Sequence, residues 1–475
     1  MTFLPKIKNR LGILLLFLGD ILAIFAIFHI SVLLREGLLP HLISDLPDYN
    51  YNLKNYSWIF VVWMLIILYE EGYSKRFALW DELKFAWKSS FFSAVAVFTM
   101  LFVMKRGNEY SRALIITMTL LNILLFPLVR IYYKRLLYSL GLMRRKILII
   151  GSGPAARSAC MAIRNEPNLG YEIAGFVDDN PDPAGIDGYK VRKGIDKIDR
   201  YIKSAGIHDV IVAKPELEKD ALVKLLNHIQ HKAENTLFIP DIKGIAVTGT
   251  ELRHFFREQT IIIEVRNNLA NPLKYGAKRL LDYLAGVIIF VVFLAPMLLI
   301  ALIIKLDSKG PAILRQKRIG RNAREFDCYK FRTMLPDAEE RLQKLLDSDK
   351  SVKEEWEKYW KLSDDPRVTR VGNFLRKTSL DELPQILNVI LGEMSLIGPR
   401  PYLPREWEYI KEESAIIHAL PPGITGLWQV SGRNNQDYNF RITMDSWYVK
   451  NWNLWLDVMI LFETVGVVLK RDGAR

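Results

Sequence analysis

The sequence predicts a multidomain membrane protein: a four-helix transmembrane bundle, a Rossmann-like, doubly wound α/β domain, and a third domain that dips one helix into the membrane. Three observations carry this. Half of the 475 residues are hydrophobic, with 11 Trp, 20 Tyr and 23 Phe, more apolar surface than a water-soluble chain of this length needs. Four long apolar runs precede residue 140. Beyond them strands and helices alternate around a glycine-rich turn, the pattern of a parallel sheet covered on both faces.

The apolar runs are Leu11–Leu34, Ser57–Tyr69, Phe85–Met104 and Leu114–Tyr132, which makes residues 1–140 the bundle. The first is preceded by KIKNR and carries no A-x-A-like cleavage site, so it reads as a retained anchor. Lys6, Lys8 and Arg10 place the N-terminus in the cytoplasm, and the basic-poor loop Asp45–Tyr51 lies outside. The loop EEGYSKRFALWDELKFAWK returns inside. KRGNEYSR lies outside against the rule, and RIYYKRLLYSLGLMRRK re-enters the cytoplasm. An even number of crossings puts the rest of the chain in the cytosol. Asp20, the one charge within the first span, is the intramembrane charge that argues for more than anchorage.

Residues 141–265 form the α/β domain. KILIIGSGPAARSACMAI runs from an apolar strand through a turn into a helix, and YEIAGFVDDN, HDVIVAKP and NTLFIPDI supply further strands. Gly151 and Gly153, with Ala156 in the third small position, match the dinucleotide turn, and Asp178 ends the next strand where a ribose would sit. The same pattern also serves tight packing alone. The one Tyr-x3-Lys match, Tyr189 and Lys193, falls too early for reductase chemistry, so a degenerate or regulatory nucleotide fold is expected. Cys160 and Cys328 are the only cysteines, which excludes a disulfide framework. His228 and His231 stand at helical spacing with no partner ligands, as on a solvated helix face.

Residues 266–475 form the third domain. LAGVIIFVVFLAPMLLIALIIK carries no charge from Leu284 to Ile304, about 31 Å of helix at ~1.5 Å per residue. Lys274, Lys278 and Arg279 precede it, and Lys305, Lys309, Arg315, Lys317 and Arg318 follow. Basic residues on both flanks oppose a crossing and favour a helix that enters from the cytosol and returns to it. Pro296, near the middle, removes a backbone hydrogen bond and would allow the bend, so a re-entrant helix is expected over about 280–305.

The net charge of +13 fits phosphorylated substrates and anionic lipid head groups. No zinc finger, helix-turn-helix or basic-aromatic RNA-binding pattern is present, and nucleic acid is not an expected partner. DPRVTRVGNFLRKTSLDELPQ gathers Arg367, Arg370 and Arg376, then Thr378 and Ser379 as helix caps, then Asp381 and Glu382. Asp-Glu in a first helical turn is ordinary macrodipole chemistry; with arginines on its flank the pair reads either as that or as a phosphate-and-metal site. LGEMSLIGPRP adds Arg400.

KRLLD, GPAILRQKRIG, CYKFRTM, DPRVTRVG, SLDELPQ, SLIGPRP and PGITGLWQVSGRN, in that order from about Asn271, together resemble the bacterial sugar transferase family. These are polyprenyl-phosphate hexose-1-phosphate transferases of monotopic topology; the bundle and α/β domain match the large subgroup that primes O-antigen, capsule or exopolysaccharide synthesis. The resemblance implies a mainly helical catalytic domain and a location in the bacterial inner membrane with the active site facing the cytoplasm. It implies transfer of a hexose-1-phosphate, galactose-1-phosphate in the most similar members, from a UDP-hexose to undecaprenyl phosphate with release of UMP. Asp381 is then the nucleophile of a covalent aspartyl phospho-sugar, and Glu382 holds Mg²⁺ with it or orients the acceptor. Arg376 and Arg400 are candidates for phosphate and UDP contacts, as guanidinium pairs bidentately with phosphate; Arg367, Lys330 and Arg332 are further candidates. The subgroup also implies a homodimer.

The aromatic cluster Trp447, Tyr448, Trp452 and Trp455 beside Lys450 reads as an interfacial segment or as a core helix. Two other function classes compete: a membrane-bound nucleotide-sugar dehydratase or epimerase, which needs a placed Tyr-x3-Lys, and a non-catalytic assembly scaffold.

Overall fold

The computed structural model describes residues 3–43, 46, 47, 49, 51–106, 109–181, 185–241, 251–255, 260–264, 267–348, 353, 362, 365–431 and 438–470. The chain forms two compact units, Met1–Ile242 and Lys243–Arg475. The last residues of the PGITGLWQVSGRN motif, 432–434, lie outside the described residues.

In the first unit each predicted apolar run becomes a helix: α1 (Phe3–Gly37), α2 (Leu53–Tyr69), α3 (Leu79–Val103) and α4 (Arg112–Ser139). Asn52 caps α2 by accepting from the Lys54 N–H, and Ser111 caps α4 by accepting from the Leu114 N–H. At 17 residues α2 is about 26 Å long, the short end of what a bilayer needs. Trp63, Phe28, Tyr56 and Phe126 fill the core, while Leu22, Leu33, Leu65, Phe102 and Leu120 stay exposed, the outside-apolar pattern of helices solvated by lipid.

Asp20 is not alone in the bundle. Arg130 of α4 donates to Asp20 and, at 2.7 Å, to Glu82; Tyr73 donates to Asp20 at 2.7 Å, and Lys134 donates to Glu82. Two carboxylates and two cations thus neutralise one another at fully buried positions, so Asp20 is explained as a structural pair. Sequence reading missed Arg130 because it lies at the end of its run, 110 residues away. The same cluster reaches the α/β part through Asn168, which donates to Glu82 at 3.4 Å and to the Phe77 carbonyl at 3.1 Å; beside it Arg76 donates to the Leu169 carbonyl at 2.6 Å.

That part is a five-stranded parallel sheet of order β3-β2-β1-β4-β5, with β1 (Arg145–Ile150), β2 (Tyr171–Asp178), β3 (Val191–Lys193), β4 (Asp209–Val212) and β5 (Asn235–Phe238). Helices α5 (Pro154–Asn165), α6 (Ile198–Ala205) and α7 (Lys219–Gln230) connect the strands. Gly151 has φ +119°, and a Cβ there would lie 2.6 Å from the Ala213 carbonyl oxygen, so packing alone demands glycine. Beside Gly153 the space is open. Asp178 accepts from Lys214 at 2.7 Å and Ser152 at 2.8 Å, an internal use of the carboxylate that a ribose would otherwise need.

The second unit opens with the antiparallel pair β6 (Glu251–Phe255) and β7 (Thr260–Glu264), then the long helix α8 (Pro272–Asp307). Asn271 caps α8 on the Leu273 and Lys274 amides, and Pro272 takes the first helical position, where its missing N–H costs nothing. Pro296 lies inside α8, and the helix runs on through it. Both ends of α8 are fixed to this one unit. Near its start Lys278 donates to the Ile397 carbonyl at 2.9 Å and Asp282 accepts from Ser395; just past its end the Ser308 carbonyl accepts from Arg332 at 2.7 Å. Between these anchors Ile288, Val291, Val292, Leu298, Leu299 and Leu302 are exposed.

The antiparallel hairpin β8 (Ile313–Ile319) and β9 (Glu325–Phe331) follows, then α9 (Arg370–Thr378) and α10 (Gln385–Ile390). The short parallel pair β10 (Ser395–Ile397) and β11 (Gly423–Thr425), α11 (Tyr438–Lys450) and α12 (Leu454–Lys470) complete it. Met297, Ile304, Phe331, Leu375, Ile386 and Val389 form the core under the α9–α10 turn. Tyr448 and Trp452 are buried in a second core with Ile397 and Leu420, so these two serve packing, and the interfacial reading fails for them.

Candidate active site

The Asp-Glu pair does not begin an α-helix. Thr369 caps α9 by accepting from the Gly372 amide at 2.9 Å, and the helix ends at Ser379, whose φ of 55° is left-handed. That conformation costs a non-glycine residue about 1 kcal/mol or more, and here it reverses the chain. Thr378 donates back to the Phe374 carbonyl, and the Ser379 side chain makes no cap, so neither is the N-cap that the sequence suggested. Leu380, Asp381 and Glu382 then form one 3-10 turn before α10, which lifts both carboxyls off the end of the two helices.

Two neighbouring elements complete the site. The exit of β9 is sewn to α9: the Thr369 amide donates to the Thr333 carbonyl at 3.0 Å and the Leu335 amide to the Arg367 carbonyl at 2.9 Å. A Cβ at Gly372 would lie 2.0 Å from the Thr333 oxygen, so only glycine allows this approach. Lys330 on β9 donates to Glu382 at 2.7 Å, and Arg376 on α9 donates to the Thr333 hydroxyl at 3.0 Å. Burial, and then the charge of Glu382, push the Asp381 carboxyl up to about 6, against the pull of Lys330 and Arg376. A carboxylate in that state is poorly solvated, and therefore nucleophilic.

The structure thus brings together Asp381, Glu382, Lys330 and Arg376. Arg332 and Arg367 are elsewhere engaged. Arg332 is buried and braces the end of α8 through the Ser308 carbonyl and hydroxyl. Arg367 makes a two-pronged pair with Asp365, both contacts at 2.7 Å. A sequence shows a guanidinium but not its partner, and the contacts these two make are bracing ones. Arg400 follows β10; its amide donates to Asp445 at 3.0 Å, and its guanidinium lies over Trp428, 5.6 Å from the ring centroid. It belongs to an adjoining patch with Arg318 and Arg441. Arg318 lies within a quoted motif, whereas nothing in the sequence singled out Arg441.

Among the described residues no group of three or more His, Cys, Asp or Glu side chains gathers as a metal cage. Asp381 and Glu382 alone fit Mg²⁺, which binds through one or two carboxylates and leaves its other positions to water and substrate phosphates. Burial is the larger cause of the raised Asp381 carboxyl, and the repulsion from Glu382 that adds to it is what a cation there would relieve.

Residues 273–471 match the family model described as bacterial sugar transferase, and residues 57–240 match one described as CoA-binding domain. The chain is 35% identical over 474 residues, 98% of both chains, to the UDP-galactose-lipid carrier transferase of Erwinia amylovora. It is 37% identical over 420 residues, 88% of this chain and 87% of the other, to the undecaprenyl-phosphate galactose phosphotransferase of Salmonella typhimurium. It is 30% identical over 333 residues, 68% of both chains, to the UDP-glucose:undecaprenyl-phosphate glucose-1-phosphate transferase of Escherichia coli.

Proposed function

The chain belongs to the bacterial sugar transferase family, and from that premise we propose that it moves a hexose-1-phosphate from a UDP-hexose to undecaprenyl phosphate, releasing UMP. Galactose is the hexose we assign, since two relatives, matched along 98% and 87% of their length, carry galactose in their names. The observation that carries the reading is the 3-10 turn presenting Asp381 half-buried beside Glu382, with Lys330 and Arg376 in attendance.

The chemistry follows from that turn. The Asp381 carboxylate attacks the sugar-bearing phosphorus; the bond to the bridging oxygen breaks, and that oxygen leaves with its electron pair on UMP. The acceptor's phosphate oxygen then attacks the same phosphorus and displaces the carboxylate, giving the lipid diphosphate sugar. Lys330 holds Glu382 in place, and Arg376 puts positive charge beside the reacting phosphoryl group. Asp381 and Glu382 are the groups that would hold Mg²⁺, whose contribution when bound is to neutralise the diphosphate.

With purified protein and undecaprenyl phosphate, UDP-galactose is expected to release UMP at least about tenfold faster than UDP-glucose, one pocket contact's worth of discrimination. The reverse preference would overturn the sugar, and no UMP from any UDP-hexose would overturn the reaction.

The same reading supplies a reason for α8. The acceptor's phosphate sits at head-group level on an oily tail while the donor is soluble, so a helix that enters one leaflet and returns brings Asp381 to that boundary. Anchorage of both α8 ends on one unit supports this. Cysteines placed at Gly276 and Lys309 are both expected to react with a membrane-impermeant maleimide only when the cytoplasmic face is opened. Background is low, since Cys160 and Cys328 are buried. Opposite-face labelling of the two would mean that α8 crosses.

A further inference from the structure

We propose that a cleft between the α2–α3 turn and the foot of the parallel sheet binds the phosphate head group of an anionic phospholipid, with Arg76 as its anchor. The site is independent of sugar transfer.

The cleft measures about 760 Å³ and lies wholly within the first unit. Ser74, Lys75 and Arg76 of the turn line it, with Leu237 and Phe238 of β5. Arg145, Tyr171 and Asn235, which also line it, are the first residues of β1, β2 and β5. The Gly151 turn follows the other end of the six-residue β1, about 20 Å away at ~3.3 Å per residue. The cleft is therefore not the dinucleotide position.

Arg76 is charged, fixed in place and short of a counter-ion. It donates to the Leu169 carbonyl at 2.6 Å and the Met143 carbonyl at 2.5 Å. Its guanidinium carbon lies 5.8 and 5.4 Å from the ring centroids of Tyr138 and Tyr171. Among the described residues both of its acceptors are neutral, and most of a guanidinium's five N–H donors stay unspent. Arg145, by contrast, pairs with Asp209 at 3.1 Å and Glu234 at 3.2 Å, and Glu234 is the one carboxylate among the residues lining the cleft. Lys75 meets Glu71 in an exposed contact of the kind that contributes little. Burial holds the Arg76 guanidinium below its ordinary basicity, and the charge of Arg145 adds to this. An arriving phosphate would relieve that repulsion.

Position decides which phosphate. Tyr69, 84% exposed, ends the membrane helix α2, and Trp80 stands in the first turn of α3. Such aromatic residues at helix ends mark the head-group layer, and Ser74 to Arg76 lie in the turn between them. A second, smaller pocket shares Arg76 and reaches Asn9 and Ile13, where α1 enters the apolar layer. Arg76 thus stands at the level of lipid phosphates. The cleft also has an oily side: Leu237 and Phe238 are 42% and 36% exposed. A free phosphate gains nothing from that side, whereas the glycerol and first acyl carbons of a phospholipid cover it.

Ser74→Cys in the full-length protein is the reporter, since Ser74 is exposed while Cys160 and Cys328 are buried. Its labelling by an uncharged, water-soluble maleimide is followed in nanodiscs of phosphatidylcholine alone, or of phosphatidylcholine and phosphatidylglycerol in equal parts. Phosphatidylglycerol is expected to slow labelling about fivefold or more, as occupancy of the cleft would. Adding Phe238→Glu, which places a negative charge at the cleft and leaves the Arg76 contacts alone, should abolish the slowing. Adding Glu234→Gln should bring the slowing on at a smaller share of phosphatidylglycerol, a gain that a damaged fold does not give. Equal labelling in the two lipids, or no earlier onset in Glu234→Gln, would overturn the site. Slowing that survives Phe238→Glu would also overturn it, because the bulk charge of the surface would then be the cause. Slowing by inorganic phosphate or UMP in phosphatidylcholine alone would assign the cleft to a soluble phosphate and overturn the lipid.

Discussion

Asp381→Asn is expected to abolish UMP release, by a factor on the order of 10⁴ or more, and to leave no phospho-hexose on the chain after incubation with UDP-hexose. Asn keeps the size and polarity of the side chain in the 3-10 turn, so the loss isolates the missing charge and the missing bond. Glu382→Gln is expected to cost less, about 10²- to 10³-fold, because its role is electrostatic and positional. The two should also differ in kind: Glu382→Gln still accumulates adduct, slowly, whereas Asp381→Asn accumulates none. Run across pH, the wild-type first half-reaction carries a further signature. The attacking form is the carboxylate and its pKa is raised, so the rate should fall as pH drops through about 6 and level off above it. Adduct recovered from Asp381→Asn, or turnover surviving within tenfold of wild type, would show that the nucleophile lies elsewhere.

The sequence made some of this legible and hid the rest, for physical reasons. Runs of about twenty apolar residues have few alternatives to a membrane helix: α1 and α4 contain and extend the predicted run, and α3 starts before its run and ends one residue short of it. Strand-turn-helix alternation likewise leaves little but a parallel sheet. The dyad was different. Asp-Glu after Thr-Ser is what any helix start looks like, and only the ordered motifs around it singled out Asp381. The local geometry then departed from that helix start, because Ser379 adopts a left-handed turn that no propensity of serine announces. Charges proved least legible of all. Arg332 and Arg376 look alike in sequence, yet one braces Ser308, 24 positions away, while the other stands by the dyad. Tyr448 and Trp452 looked interfacial because aromatic residues beside a lysine suit a head-group layer; the buried carboxylate of Asp457, to which both donate, pulls them into the core.

That carboxylate sets the second large effect. Lys278, near the start of α8 and 2% exposed, donates to Asp457 at 2.8 Å and to the Ile397 carbonyl at 2.9 Å. Tyr448 donates to Asp457 at 2.6 Å and Trp452 at 3.1 Å, so one carboxylate ties the base of α8 to α11 and α12. Lys278→Met keeps the length of the chain and strips the charge, leaving the buried Asp457 carboxyl short of its cation. Removing one partner of such a pair costs about 3–5 kcal/mol, whereas replacing both can be nearly neutral. For a unit of this size that corresponds to a fall of roughly 10 °C in melting temperature. The second half of the rule supplies the control. Adding Asp457→Asn to Lys278→Met should restore part of the lost stability, since no unpaired charge then remains, while Asp457→Asn alone strands the lysine and should itself destabilise. Strictly additive losses in the double variant would mean that the pair is not coupled, and that something other than this ion pair fastens the base of α8 to the body that carries Asp381.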